Sequence, residues 1–380
     1  MNLFDVYPLT NVEPERAKGS FIWDKYGKKY LDLYGGHAVI SIGHSHPHYI
    51  ERIEQQLRKI GFYSNSVQIP LQKELAQKLS LLSGYPDHSL FLCNSGAEAN
   101  ENALKLASFH NGRKKVIAFR NSFHGRTSLA LEVTDDPGLS AAINRNGNVI
   151  FLSMKDANLL EKHIDHETTA VIIEGIQGVG GVHEPGIDFL KTIRKICTEK
   201  GALLILDEIQ SGCGRTGKFF AHQYAGIEAD LITMAKGLGN GFPIGGVLIH
   251  SDIKSKHGLL GTTFGGNHLA CAAALAVLEV MEEENLMANA DTLGKSLFHL
   301  LEGHSAIKEI RGRGLMIGLE ISGDSKSLRN LLLEQHFIFT GISAAHNTIR
   351  LLPALNISES ELKLFMNAFE SLTQIKTVSL

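Results

Sequence analysis

Short apolar runs recur through the first two thirds of the chain, at residues 90–93, 116–119, 149–152, 170–173, 203–206, 231–234 and 247–249. Several are separated by stretches with helical spacing, at 100–109, 159–164 and 189–199. Short continuous apolar runs alternating with amphipathic helices predict an α/β fold: a mostly parallel seven-stranded sheet with helices on both faces. Such sheets bind ligands at the carboxyl ends of their strands. After about residue 265 the pattern changes. Helices are predicted at 268–284 and 290–302, and short strands at 315–321 and 348–352, which reads as a smaller α+β domain. The strand-like start, FIWDKYGKKYLDL, is expected to join it. The expected division is 1–44 as a segment packing with the small domain, 45–265 as the large ligand-binding domain and 266–380 as the small domain.

Composition narrows the picture. With 380 residues, 43% of them hydrophobic and 20% charged, the chain can bury a sizeable core. A net charge of −3 gives no reason to expect nucleic acid or an anionic membrane as partner. The four cysteines are widely spaced, as reduced thiols in a cytosolic protein would be. The start MNLFDVYPLTN lacks the pattern of a secretory signal. The longest apolar run, ten residues at 269–278, ends at Glu279, whereas a membrane span needs about 20. A cytoplasmic location is expected.

The stretch LLILDEIQSGCGRTG, residues 203–217, poses the chemical question. Asp207 and Glu208 follow a buried strand, and a buried charge is costly unless something pairs with it. In CNSGAEANENALKLA, residues 93–107, a strand ends, Ser95-Gly96-Ala97 turns and a helix starts. Such an end presents backbone N–H groups to an anion such as phosphate, although an ordinary N-cap serine gives the same pattern. In AKGLGNGFPIGG, residues 235–246, Lys236 stands just past an apolar run. A lysine between low-dielectric walls is partly neutral and nucleophilic toward a carbonyl, whereas a solvated loop lysine explains this stretch taken alone. The spacing matches neither a Walker loop nor a GxGxxG turn. Pyridoxal phosphate requires all three features: a helix N-terminus for its phosphate, a lysine for its aldehyde and a carboxylate for its pyridine nitrogen.

With these stretches in place, the chain resembles a known family. It is similar to the class III (ω-amino) aminotransferases of the fold type I pyridoxal-phosphate enzymes, and most like acetylornithine and succinylornithine aminotransferases. The resemblance runs through GHSHPHY near residue 43, SGAEANE, FHGRT (123–127), EGIQGVGG (174–181), DEIQSGCGRTG, AKGLGNGFPIGG, TTFGGNHLAC (262–271) and RGRGLMIGLE (311–320). It implies that Lys236 carries the cofactor and shuttles the proton, that Asp207 pairs with the pyridine nitrogen, and that Gln210 bonds the ring's phenolic oxygen. Ile209 and Phe123 would pack on the ring, and Gly96 and Ala97 would donate to the phosphate. Thr263 would reach the phosphate of a neighbouring subunit's cofactor, which implies a homodimer with shared active sites. Thr262 would touch substrate, and Arg126 would clamp its α-carboxylate. No metal is expected: the family carries a similar GH-x-HP turn without one. Cys213 reads as a small loop residue, and Arg311 and Arg313 as shaping a turn.

The chain departs from the family where EPIQGEGG is usual. Gly175 replaces the proline and Val179 the second glutamate. In related ornithine and γ-aminobutyrate enzymes that glutamate masks an arginine, whose counterpart here is Arg350. An unmasked Arg350 favours a substrate with a second carboxylate, and so tilts the choice toward N-succinylornithine over N-acetylornithine. The alternative is that another residue covers it. The activity implied is transfer of the δ-amino group of an N-acylornithine to 2-oxoglutarate, giving the semialdehyde and glutamate, in arginine biosynthesis. An ornithine or γ-aminobutyrate transaminase, an aminomutase, or an inactive binding protein on the same fold are the competing readings.

Overall fold

The computed structural model describes residues 1, 3–343 and 347–374. Its central sheet has seven strands in the order Ser89–Cys93, Gly245–Ile249, Leu231–Met234, Leu203–Asp207, Thr168–Glu174, Lys115–Phe119 and Val149–Leu152. The last five pair in parallel. Gly245–Ile249 runs antiparallel to both neighbours, the one departure from an all-parallel sheet.

Every position of Thr168–Glu174 and Leu203–Asp207 is buried, because helices cover both faces. Alternate residues go to opposite sides. Ala170, Ile172, Leu203 and Ile205 pack with Ala99, Ala103 and Ala107 of the helix Gly96–Asn111. Val171, Ile173, Leu204 and Leu206 pack with Phe189, Ile193 and Ile196 of the helix Ile187–Lys200. The alanines of the first helix let it lie close to the sheet. Ser95 Oγ accepts from the Glu98 N–H at 3.1 Å and so caps its start, and Gly112 ends it in the left-handed conformation at φ 71°.

Two smaller sheets lie outside the central one. Ile307–Arg313, Met316–Ile321, Thr348–Leu351 and Gly341–Ser343 form an antiparallel sheet. Pro14–Lys18, Phe21–Asp24 and Lys29–Asp32 form another, which Ile338–Phe339 completes in parallel with Lys29–Asp32. The start of the chain is thus hydrogen-bonded to its C-terminal part. Arg311 and Arg313 lie on a strand rather than in a turn. Arg311 is buried and pairs with Glu309 at 2.5 Å and Glu320 at 2.7 Å. The helix His268–Glu283 is apolar nearly all round and packs against the helices Pro47–Lys59 and Pro70–Ser83.

Candidate active site

The carboxyl ends of the parallel strands open into a cavity of about 410 Å3. Gly96, Ala97, Phe123, Arg126, Asp207, Ile209, Gln210 and Lys236 all line it. A larger depression, about 850 Å3, lies between the helix Leu286–Leu301 and the strand Ile307–Arg313. Its charged groups include the ion pair Lys295–Asp291 and Arg313, which pairs with Glu184. It gathers none of the residues above.

Asp207 is buried at the end of its strand and held on three sides. Oδ1 accepts from the Ile209 N–H at 3.0 Å, and Oδ2 accepts from Asn100 Nδ2 at 2.7 Å. His124 Nδ1 lies 2.7 Å from the same Oδ2, so the proton sits on Nδ1 when Asp207 is ionised. Asn100 is fixed in turn: its Oδ1 accepts from Thr233 Oγ1 at 2.8 Å, and its Nδ2 also donates to the His124 carbonyl at 2.7 Å. The neighbouring Glu208 points elsewhere. It accepts from Ser211 Oγ, from the Ala221 and His222 N–H groups and from His222 Nδ1, and is a structural carboxylate.

Lys236 follows the strand Leu231–Met234 in a left-handed conformation, φ 43°, unusual for a side chain with a Cβ and of a kind that clusters at functional sites. Burial, the largest influence, pushes its ammonium below the ordinary lysine range. The carboxylates of Asp207 and Glu174 oppose that shift, and Arg350 adds to it. Glu174, paired with Asp207 at the end of the neighbouring strand, accepts from the Phe123 N–H at 3.1 Å and the Gly178 N–H at 2.9 Å. Desolvation raises its carboxyl to about 7.

The residues present fit pyridoxal phosphate. Gly96 and Ala97 are the first two residues of a helix, whose N–H groups have no intrahelical acceptor. A Cβ on Gly96 would come within 2.8 Å of Ile209, so glycine keeps that approach open. His124 Nε2 and Gln210 Oε1 are buried polar atoms without a partner among the described residues. Gln210 Nε2 donates to the His37 carbonyl at 3.1 Å, which leaves its second N–H for another acceptor. Arg126 is exposed at the cavity and has no ion-pair partner among the described residues.

Three expected residues lie outside the cavity lining. Thr262 is half-buried, and its Oγ1 accepts from Asn94 Nδ2 at 3.1 Å and from the Gly265 N–H at 3.2 Å. Thr263 is exposed. Arg350 is buried, with its guanidinium 5.9 Å from the centre of the Tyr34 ring. Its Nε donates to the Ile342 carbonyl at 3.2 Å, and its Nη1 has no hydrogen-bond partner among the described residues. None of the carboxylates described forms an ion pair with it, and Val179 lines the cavity where the family's glutamate is usual. Among the described residues, the Tyr34 ring lies over the Arg350 guanidinium.

Asn100, His124, Glu174, Tyr34 and His37 were not singled out by the sequence. Glu174 carries the signal that revealed Asp207, a carboxylate ending an apolar run. Asn100 is a polar residue on the alanine face of its helix. His37 and Tyr34 carry no such mark.

These features, a cofactor-sized cavity at parallel strand ends with a buried lysine and a fixed carboxylate, define a class of enzyme, and the comparisons agree with it. The family model for class-III aminotransferases matches residues 6–373, and the chain belongs to that family. Its members work with pyridoxal phosphate. The chain is 41% identical over 363 residues to the acetylornithine aminotransferase of Archaeoglobus fulgidus, covering 95% of each. It is 39% identical over 369 residues to the acetylornithine aminotransferase of Bacillus subtilis, covering 95% of this chain and 94% of the relative. Among solved structures, the ornithine aminotransferase of Toxoplasma gondii superposes with a TM-score of 0.89 at 29% identity, over 96% of this chain and 92% of that one.

Proposed function

We propose that this aminotransferase moves the δ-amino group of an N-acylornithine to 2-oxoglutarate. The observation that carries the reading is the convergence of Lys236, Asp207 and the helix start at Gly96 and Ala97 on one cavity. Full-length similarity to acetylornithine aminotransferases supports the substrate class. It also supports a role in arginine biosynthesis and in the cytoplasm; no helix among the described residues is long and apolar enough to cross a membrane.

When bound, pyridoxal phosphate supplies an electron sink for the carbon that loses its proton. Gly96 and Ala97 hold its phosphate, and Asp207 holds the proton on its pyridine nitrogen. Phe123 and Ile209 confine the ring, and Gln210 donates to its phenolic oxygen. Lys236 Nζ, its basicity lowered by burial, moves the proton. Arg126 binds the α-carboxylate of the substrate. Thr262 contributes to the substrate site, and Thr263 serves a partner's cofactor in a homodimer, as its exposure in the single chain supports. Residues 45–265 form the cofactor-holding unit. The described residues of 1–44 and 266–374 would form the smaller one, a division supported by the pairing of Lys29–Asp32 with Ile338–Phe339.

Arg350, without a carboxylate partner among the described residues, receives a second carboxylate on the substrate. The test compares N-acetylornithine, N-succinylornithine, ornithine and γ-aminobutyrate as donors to 2-oxoglutarate by kcat/KM. An acylornithine is expected to lead; a clear preference for ornithine or γ-aminobutyrate overturns the reading. In single-turnover reactions with the donor alone, Arg350→Ala should cost N-succinylornithine about ten- to a hundredfold, the worth of a desolvated charge-assisted pair. N-acetylornithine should lose much less, and Val179→Glu should act in the same direction. Equal losses for both acylornithines would remove the case for a succinyl preference.

A further inference from the structure

Arg126 lines the cavity, and its guanidinium has no hydrogen-bond or ion-pair partner among the described residues. Its reach is therefore set by the backbone that carries it. That backbone is held from one helix. Gly125, just before Arg126, has φ 137°, and a Cβ there would stand 2.7 Å from Ala97 Cβ, so the loop lies directly on the start of the helix Gly96–Asn111. Asn100 of that helix donates to the His124 carbonyl at 2.7 Å.

The next residue, Glu101, takes the other flank. Its Oε2 accepts from Thr127 Oγ1 at 2.7 Å, from the Leu129 N–H at 2.8 Å and from the Ala130 N–H at 3.0 Å. Its Oε1 also accepts from the Leu129 N–H, at 3.1 Å. Leu129 and Ala130 lie in the first turn of the short helix Ser128–Glu132, where N–H groups have no intrahelical acceptor. Thr127 holds the cap position of that helix, yet its side chain makes no capping bond. Glu101 caps it instead, from the neighbouring helix, with a carboxylate where negative charge is favoured. We propose that Glu101 is a positioning residue of the aminotransferase: it fixes the loop that carries Arg126 and so sets how well the enzyme distinguishes an amino donor with an α-carboxylate from one without. The proposal rests on the reading of Arg126 given above.

Glu101 does not line the cavity and forms no ion pair with Arg126, so it acts on a substrate only through the loop. The helix that carries Asn100 and Glu101 begins at Gly96 and Ala97, the residues that fit the cofactor's phosphate. One rigid element thus holds the phosphate end of the site and both flanks of Arg126. A guanidinium meets a carboxylate fork to fork, so the pair depends on direction as well as distance. A displacement of about 1 Å can cost up to about a hundredfold in such an arrangement. A donor without the α-carboxylate makes no use of the pair and is indifferent to where Arg126 points.

The test uses the pyridoxal-phosphate holoenzyme in single-turnover reactions with the donor alone, following the cofactor's absorbance. N-acetylornithine is compared with N-acetylputrescine, the same donor without its α-carboxylate. The wild type should favour N-acetylornithine by rate over half-saturating concentration. Glu101→Ala should cut that preference about tenfold, through a higher half-saturating concentration for N-acetylornithine, and leave N-acetylputrescine nearly unchanged. Glu101→Gln, with one acceptor oxygen in place of two, should cut it less in the same direction, and carries the comparison if Glu101→Ala does not load cofactor. A readout apart from turnover is the binding of N-acetylnorvaline, which keeps the α-carboxylate and lacks the δ-amino group. Titrated by cofactor absorbance, it should bind more weakly to the Glu101 variants. Arg126→Ala should remove the preference, and in that background Glu101→Ala should change it no further, as two residues acting as one unit require. If Arg126→Ala keeps the wild-type preference, the reading of Arg126 fails. If Arg126→Ala removes it but the Glu101 variants keep it, or lose both donors equally, the present proposal alone is overturned.

Discussion

At the scale of single residues, the site depends on how a carboxylate is held as much as on its presence. The positions of Asp207 and Lys236 at or just past strand ends were legible in the sequence because each follows an apolar run, and both line the cavity. Asn100 and His124 were not, because they meet Asp207 only after the helix Gly96–Asn111 packs on the sheet. Asn100→Ala removes one donor from Asp207 and strands the Thr233 hydroxyl and the His124 carbonyl. Leaving buried polar groups unpaired costs about 1–3 kcal/mol each. The variant should be less stable to urea by that order and should lose cofactor faster on dialysis. Unchanged values on both counts would make Asn100 dispensable. Glu174 gives a pH dependence. Its folded-state carboxyl is raised from 4.5 to about 7, so the folded form binds more protons than the unfolded form across that window. The contribution of Glu174 to stability is full below 4.5 and is lost as pH rises through about 7. In cofactor-free enzyme Glu174→Gln should flatten the fall of Tm over that range; a profile parallel to wild type would show that Glu174 does not titrate there.

At the scale of elements, the alternation of strands and helices was readable, and the boundaries less so. The helix predicted from residue 100 begins at Gly96, because its first turn is polar and glycine-containing and is defined by the Ser95 cap rather than by apolar spacing. The left-handed turn Gly35–Ala38 could not be read at all: it is imposed by Asp32 and by the distant Leu352 carbonyl. The departure at Gly175 has a local cause. Its N–H donates to the Asp207 carbonyl at 3.1 Å, and a Cβ there would stand 2.5 Å from Glu208 Oε1. Glu208 has little freedom to move, since Ser211, Ala221 and His222 all donate to it. Arg215 ties the same loop to the C-terminal part through the Leu315 and Pro353 carbonyls. Gly175→Pro, which restores the usual family residue, should therefore cost about 3 kcal/mol or more. A melt at fixed cofactor concentration should show a clear drop in Tm, and an unchanged melt would mean that the Glu208 network adapts freely.

At the scale of the molecule, the single chain leaves several large apolar side chains exposed. The rings of Phe62 and Phe264 meet at a tilt, 5.3 Å between centres, yet both remain exposed, and Tyr63 and Val67 are exposed nearby in sequence. The helix Pro47–Lys59 has no fully buried residue. Leu3, Phe4 and Tyr7 of the N-terminal arm are also exposed. Exposed apolar side chains that pack on one another, as Phe62 and Phe264 do, are a feature of interfaces. Thr263 lies next to Phe264 in sequence and outside the cavity of its own chain; in the homodimer proposed above it would act on the partner's cofactor phosphate. If so, loss of the hydroxyl should act on the cofactor without disturbing the fold of its own subunit. Thr263→Ala should remain a dimer by analytical ultracentrifugation, with the wild-type Tm when cofactor-free, but should release pyridoxal phosphate more readily. Phe264→Asp should act one step earlier: a charge at the apolar contact should shift the population toward monomer, and activity should fall with it. A fully active monomer would overturn the shared-site arrangement. A dimeric Thr263→Ala enzyme with unchanged cofactor retention would instead leave the dimer standing and remove Thr263 from the cofactor site.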